Sequence, residues 1–150
     1  MARRVTETMR GGGLQYHYEY AVYNMNSDTS ADGFVIDFPG VADFENVGFN
    51  DIDHHSGEPY DTSDWDIDAN ELTGTITWSA VDVGANSNAL RWGTLFSFWF
   101  DSDLPPDVMS HRLDLFKIDE MLDVPFAGAP EERPLFSDGF ESGDTSAWLP

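Results

Sequence analysis

The residues best able to do chemistry crowd between Asn50 and Asp68, NDIDHHSGEPYDTSDWDID. Asp51, Asp53, Glu58, Asp61, Asp64, Asp66 and Asp68 surround His54 and His55. Hard carboxylate oxygens at this density suit Ca²⁺, which takes about six to eight oxygen ligands. Asp64-x-Asp66-x-Asp68 starts a calcium-loop pattern. It then departs from it: Ala69 stands where the sharp turn needs Gly, and Thr75 where the bidentate Glu belongs. The expected metal set is Asp51, Asp53, His55, Asp64, Asp66 and Asp68, with Ca²⁺ as the ion it suits. His54-His55 with Asp51 or Asp53 is a weaker Zn²⁺ pattern, because adjacent side chains on a strand face opposite ways. The plain alternative is solvated charge on an acidic loop.

The residue types also fit two further chemistries. Paired carboxylates can hydrolyse glycosides, and Glu19 with Glu58 is the best-placed pair, but sequence does not fix the separation the mechanism needs. No G-x-S-x-G, no phosphate-cradling glycine loop and no cysteine nucleophile occurs. Tyr16, Tyr18 and Tyr20 share one strand face. With Trp65 they would form a sugar-stacking surface if exposed, and core if turned inward.

The elements that must position these residues read as strands. Asn88–Asp103, NALRWGTLFSFWFDSD, alternates from Leu90. Leu90, Trp92, Thr94, Phe96, Phe98 and Phe100 fall on one face, with Leu95 and Trp99 on the other. This is the expected central strand. Val5–Met9 and Leu14–Met25 flank Gly11-Gly12-Gly13 and predict a hairpin. Phe34, Ile36 and Phe38 mark a strand, and Phe44–Phe49 another with Val47 and Phe49 inward. Leu72–Ser79 alternates, with Leu72, Gly74, Ile76 and Trp78 on one side. His111–Ile118 is the last strand expected. Asp119–Asp123 has room for one helical turn. About seven strands without helical periodicity predict an all-β fold, a single antiparallel β-sandwich, immunoglobulin-like or jelly-roll-like, over residues 1–124. From Pro125 proline and glycine rise and periodicity fails, so 125–150 reads as a linker and C-terminal tail.

Composition bounds the partners. The chain has 28 acidic and 7 basic residues, a net charge of −21. Three of the basic residues, Arg3, Arg4 and Arg10, sit in the first ten positions. Such a surface repels phosphate backbones, which argues against nucleic acid. The 41% hydrophobic and 14% aromatic content supports a packed core rather than compositional disorder. No apolar stretch approaches the ~20 residues of a membrane span, and with no cysteine there is no disulfide. The start, MARRVTETMRGGG, lacks the apolar core of a signal peptide.

Three segments carry a resemblance: YHYEYAVYNMNSD (Tyr16–Asp28), DIDHHSGEPYDTSDW (Asp51–Trp65) and NALRWGTLFSFWFDSDLPP (Asn88–Pro106). Together they resemble an uncharacterised β-sandwich module of secreted bacterial proteins, similar to extracellular domains of PEP-CTERM-type proteins. DGFESGDTSAW (Asp138–Trp148) looks like a short tail of exported proteins. The tail lacks the hydrophobic span and basic end of a PEP-CTERM signal. The resemblance implies export, an extracellular or cell-surface location, and a parent chain with sequence before Met1. The expected role is a non-enzymatic structural or binding module, its partner a carbohydrate or another surface protein. The alternative is a carbohydrate-binding module with a structural calcium site, and the third a small glycoside hydrolase using loop carboxylates.

Overall fold

A computed structural model describes residues 1–53, 57–82, 84–106, 109–118 and 120–124. Among the described residues, nine strands form two antiparallel sheets packed face to face. They are β1 (Ala2–Arg10), β2 (Gly13–Tyr23), β3 (Ala31–Asp37), β4 (Phe44–Asn50), β5 (Asp66–Asn70), β6 (Thr75–Ser79), β7 (Leu95–Ser102), β8 (Ser110–Leu115) and β9 (Met121–Asp123). One sheet runs β1-β2-β7-β4 and the other β5-β6-β3-β8-β9. Among the described residues there is no α-helix. The expected antiparallel β-sandwich is therefore the fold. The predicted tail, 125–150, lies outside the described residues.

The hairpin forms as its glycines require. Arg10 pairs with Gly13, and Gly11 and Gly12 both take positive φ, 59° and 88°. Two such residues make the tight turn whose twist matches the flanking strands. β7 lies between β2 and β4, so the expected central strand is central. It is shorter than its alternation suggests. Trp92 and Gly93 form a turn before it, and Trp92 is 73% exposed.

Strand periodicity then dictates the core. Phe96, Phe98 and Phe100 of β7 face inward beside Tyr18, Tyr20 and Val22 of β2. Phe34 and Ile36 of β3, with Ile76 and Trp78 of β6, close on them from the second sheet. The Trp78 indole N–H donates to the Gly48 carbonyl, 3.1 Å, tying the two sheets together. Val47 and Phe49 pack on the core as expected.

Three expectations are corrected. Leu72 is 81% exposed, because residues 71–74 are the turn between β5 and β6 rather than strand. Met121–Asp123 is β9, hydrogen-bonded along β8, in place of a helical turn. Asp66–Asn70, which the sequence places partly in an irregular loop, is the edge strand β5.

One polar cluster is buried in this apolar interior. The Tyr20 hydroxyl lies 3.0 Å from His111 Nε2 and 3.2 Å from Met109 Sδ. Burial, with the nearby Arg3 charge as a lesser cause, lowers the His111 pKa to about 4. Burial pushes the Tyr20 hydroxyl upward. An unfolded histidine titrates near about 6.5. Above that pH both states are neutral and stability is undiminished. Below it the unfolded chain binds a proton that the folded chain refuses, until pH reaches about 4. Acid should therefore remove up to ~3 kcal/mol across this window. Denaturant unfolding between pH 7 and 4 checks this, and His111→Gln should flatten the difference. A variant with the same slope as the wild type would reassign the loss to carboxylates.

Candidate functional site

The outer face of the four-stranded sheet carries a continuous set of side chains. Register places Arg4 beside Glu19, Glu19 beside Trp99, and Trp99 beside Gly48, one residue from each strand. The neighbouring row runs Thr6, His17, Asp101 and Glu45. On the other side of Trp99 lie Ala2, Ala21, Ser97 and Asn50. Small residues in that last row leave a depression of about 330 Å³, bounded by Trp99, Arg4 and Glu19.

Gly48 determines how the indole lies. A Cβ at this position would overlap the Cε2, Cζ2 and Nε1 atoms of Trp99. The ring therefore covers the bare glycine backbone across the strand pair, an aromatic-over-glycine packing that pins register. A register shift between Glu45 and Gly48, with Asn46 at φ 51°, delivers Gly48 to that place. Polar groups around the ring are held by one another. Arg4 Nη1 lies 3.4 Å from Glu19 Oε2, and His17 Nδ1 lies 2.5 Å from Asp101 Oδ1.

The aromatic set expected for ligand stacking divides otherwise. Tyr18, Tyr20 and Trp65 are buried in the core, and Tyr16 is a partly buried residue packed against it. Tyr18 stacks on Phe100 at 4.6 Å, and Trp65 on Phe49 at 5.5 Å. None of those three rings offers a face to solvent: β2 turns Tyr18 and Tyr20 toward the second sheet, and Trp65 packs against Phe49 and Phe96. Glu19 and Glu58 line different depressions, Glu19 beside Trp99 and Glu58 beside Tyr60, Arg91 and Trp92.

The expected metal residues also separate. Asp66 and Asp68 are exposed on β5, opposite Ser79 and Thr77 of β6. Asp51 lies at the end of β4, where its carboxylate accepts from Asn88 Nδ2. Burial is the main cause that raises its pKa, and the charges of Asp64 and Asp53 add to it. Asp51, Asp53 and Asp64 are thus electrostatic neighbours, while His55 lies outside the described residues. Among the described residues, no three His, Asp or Glu side chains converge on a metal position by themselves. Asp61 organises its own turn: Ser63 Oγ and the Ser63 and Thr62 N–H groups donate to its Oδ1, which lowers its pKa.

Sequence alone marks neither Trp99 nor Asn88 as a site residue. Trp99 was visible as the one large aromatic on the second face of its strand, but its partner Gly48 appears only once the register is known. Compared with known protein families, curated proteins and solved structures, the chain shows no match.

Proposed function

We propose that this chain is a non-catalytic binding module of a larger exported protein, and that it takes a carbohydrate on the outer face of the β1-β2-β7-β4 sheet. The supporting observation is the Arg4–Glu19–Trp99–Gly48 row with its adjoining depression. A sugar ring needs an apolar surface for its C–H face and fixed polar groups for its hydroxyls. Trp99 supplies the first. Arg4, Glu19, His17 and Asp101 supply donors and acceptors already oriented by pairing. The surplus of carboxylates favours neutral sugars over sulfated or uronic ones.

Affinity electrophoresis against a panel of soluble neutral and acidic polysaccharides tests this. At least one neutral polymer should retard the protein. Trp99→Ala should weaken that retardation by about tenfold or more, roughly 1.4 kcal/mol. Trp92→Ala, at the exposed turn before β7, should leave it unchanged. Retardation of the wild type and the Trp99 variant alike would move the ligand to another face. No retardation by any polymer would end the carbohydrate reading.

A further inference from the structure

A strand at the edge of a sheet can pair with another chain, and among the described residues the edges are β1, β4, β5 and β9. Three of them are guarded. β9 is three residues long and ends on Asp123. β5 has five residues and carries Asp66 and Asp68. β4 is broken by the register shift between Glu45 and Gly48. Short, acidic or bulged edges resist pairing with a second copy of the same acidic chain. β1 has none of these guards. It runs for nine residues, and among the described residues it pairs in unbroken register with β2 alone. It also holds three arginines against one glutamate, on a molecule of net charge −21. Two copies repel one another least where those arginines lie.

The turn fixes which backbone groups of β1 face outward. Arg10 and Gly13 close a two-residue turn, so they hydrogen-bond to each other. Alternation then directs the N–H and C=O groups of Thr8, Thr6 and Arg4 toward β2, and those of Met9, Glu7 and Val5 away from it. A two-fold axis between two β1 strands must set such outward residues against one another. Centred on Glu7, it would oppose two carboxylates, and centred on Arg4, two guanidinium groups. Centred on Thr6, it would set Glu7 against Val5 and Arg3 against Met9, so no charge meets its opposite. Centred on Val5, it sets Arg3 against the partner's Glu7 at both ends. Arg4, which keeps Glu19 as its ion-pair partner, then faces only a threonine. Met9, 73% exposed, faces the partner's Met1, 39% exposed. Opposite charges and mutually covered apolar side chains both stabilise a strand pair. We propose that β1 pairs antiparallel with β1 of a second copy, centred on Val5, and so joins two four-stranded sheets into one.

Sedimentation velocity of the full chain over a concentration series tests this. The expected result is one transition, from the 16.8 kDa monomer to a species of twice that mass, with nothing larger, because a two-fold pairing closes on itself. Glu7→Pro deletes an outward N–H and leaves the bonds to β2 in place. It should melt close to the wild type and stay monomeric at every concentration. Glu7→Lys and Arg3→Glu should each be monomeric alone, since like charges then face one another at both ends. Mixed, they should form a one-to-one heterodimer, because each supplies the charge that the other lacks. Four outcomes overturn the proposal: a wild type that is monomeric throughout, a Glu7→Pro dimer as strong as the wild type's, open-ended polymers, or folded charge variants that fail to recombine.

Discussion

Phe98→Ala is expected to lower stability by about 4 kcal/mol. The ring is 1% exposed and sits where both sheets meet. Its centroid lies 4.8 Å from Phe34, 5.3 Å from Phe49, 5.4 Å from Trp78 and 5.9 Å from Trp65. Those neighbours come from β3, β4, β6 and the strap before β5, so no single shift can close the void. The loss is the transfer energy of the ring plus the cavity left behind. A domain of this kind is stable by only about 5–15 kcal/mol. The variant should therefore melt about 10 °C or more below the wild type. Trp92→Ala, equally aromatic but largely exposed, should stay within about 0.5 kcal/mol. Similar losses in the two variants would contradict the burial assigned to Phe98.

Gly74→Ala should cost on the order of 3 kcal/mol, although it adds one methyl group in a turn. Two causes combine. Gly74 sits at φ 72°, where an L side chain is strained by roughly 1–2 kcal/mol. A Cβ there would also overlap the Gly40 carbonyl oxygen and come within 2.8 Å of the Phe38 carbonyl oxygen. Both obstacles are backbone, so relief requires moving the turn and stretching its bond from Phe38 N–H to the Gly74 carbonyl, now 2.9 Å. Gly40→Ala separates the causes. Gly40 has φ 98° and open space around its Cβ position, so it should show the strain alone. Urea midpoints of the two variants give the difference directly. Equal midpoints would mean that the 38–42 segment yields without cost.

Alternation made the fold legible where one strand face is buried. Phe96, Phe98 and Phe100, or Ile76 and Trp78, could hardly face elsewhere. It misled where that contrast fades. β5 and β9 are edge strands exposed along their length, so nothing in their sequence alternates with burial. Leu72 continues the β6 pattern in sequence, yet Gly74 has already turned the chain. The site was less legible for a related reason. The density of acidic residues includes Asp66 and Asp68, which lie exposed on β5, whereas the Asn88 that Asp51 contacts arrives from a segment distant in sequence. Alternation does group Tyr16, Tyr18 and Tyr20 on one face. Whether it faced in or out depended on the second sheet, which sequence does not display.

Strand order also has a consequence for how quickly this chain can reach its native state. Only β1–β2, β5–β6 and β8–β9 join neighbours in sequence. The remaining pairings are remote: Tyr16 with Ser102, and Ala31 with Leu115, each separated by more than half the chain. β2 therefore has one permanent neighbour until β7 has been synthesised, and β3 lacks β8 for longer still. Closing loops of that length before any contact rewards them slows folding. Meanwhile the Tyr18–Tyr20–Val22 face lies open to water and to other nascent chains. The dense negative charge then acquires a kinetic use, holding unfinished molecules apart until β7 docks.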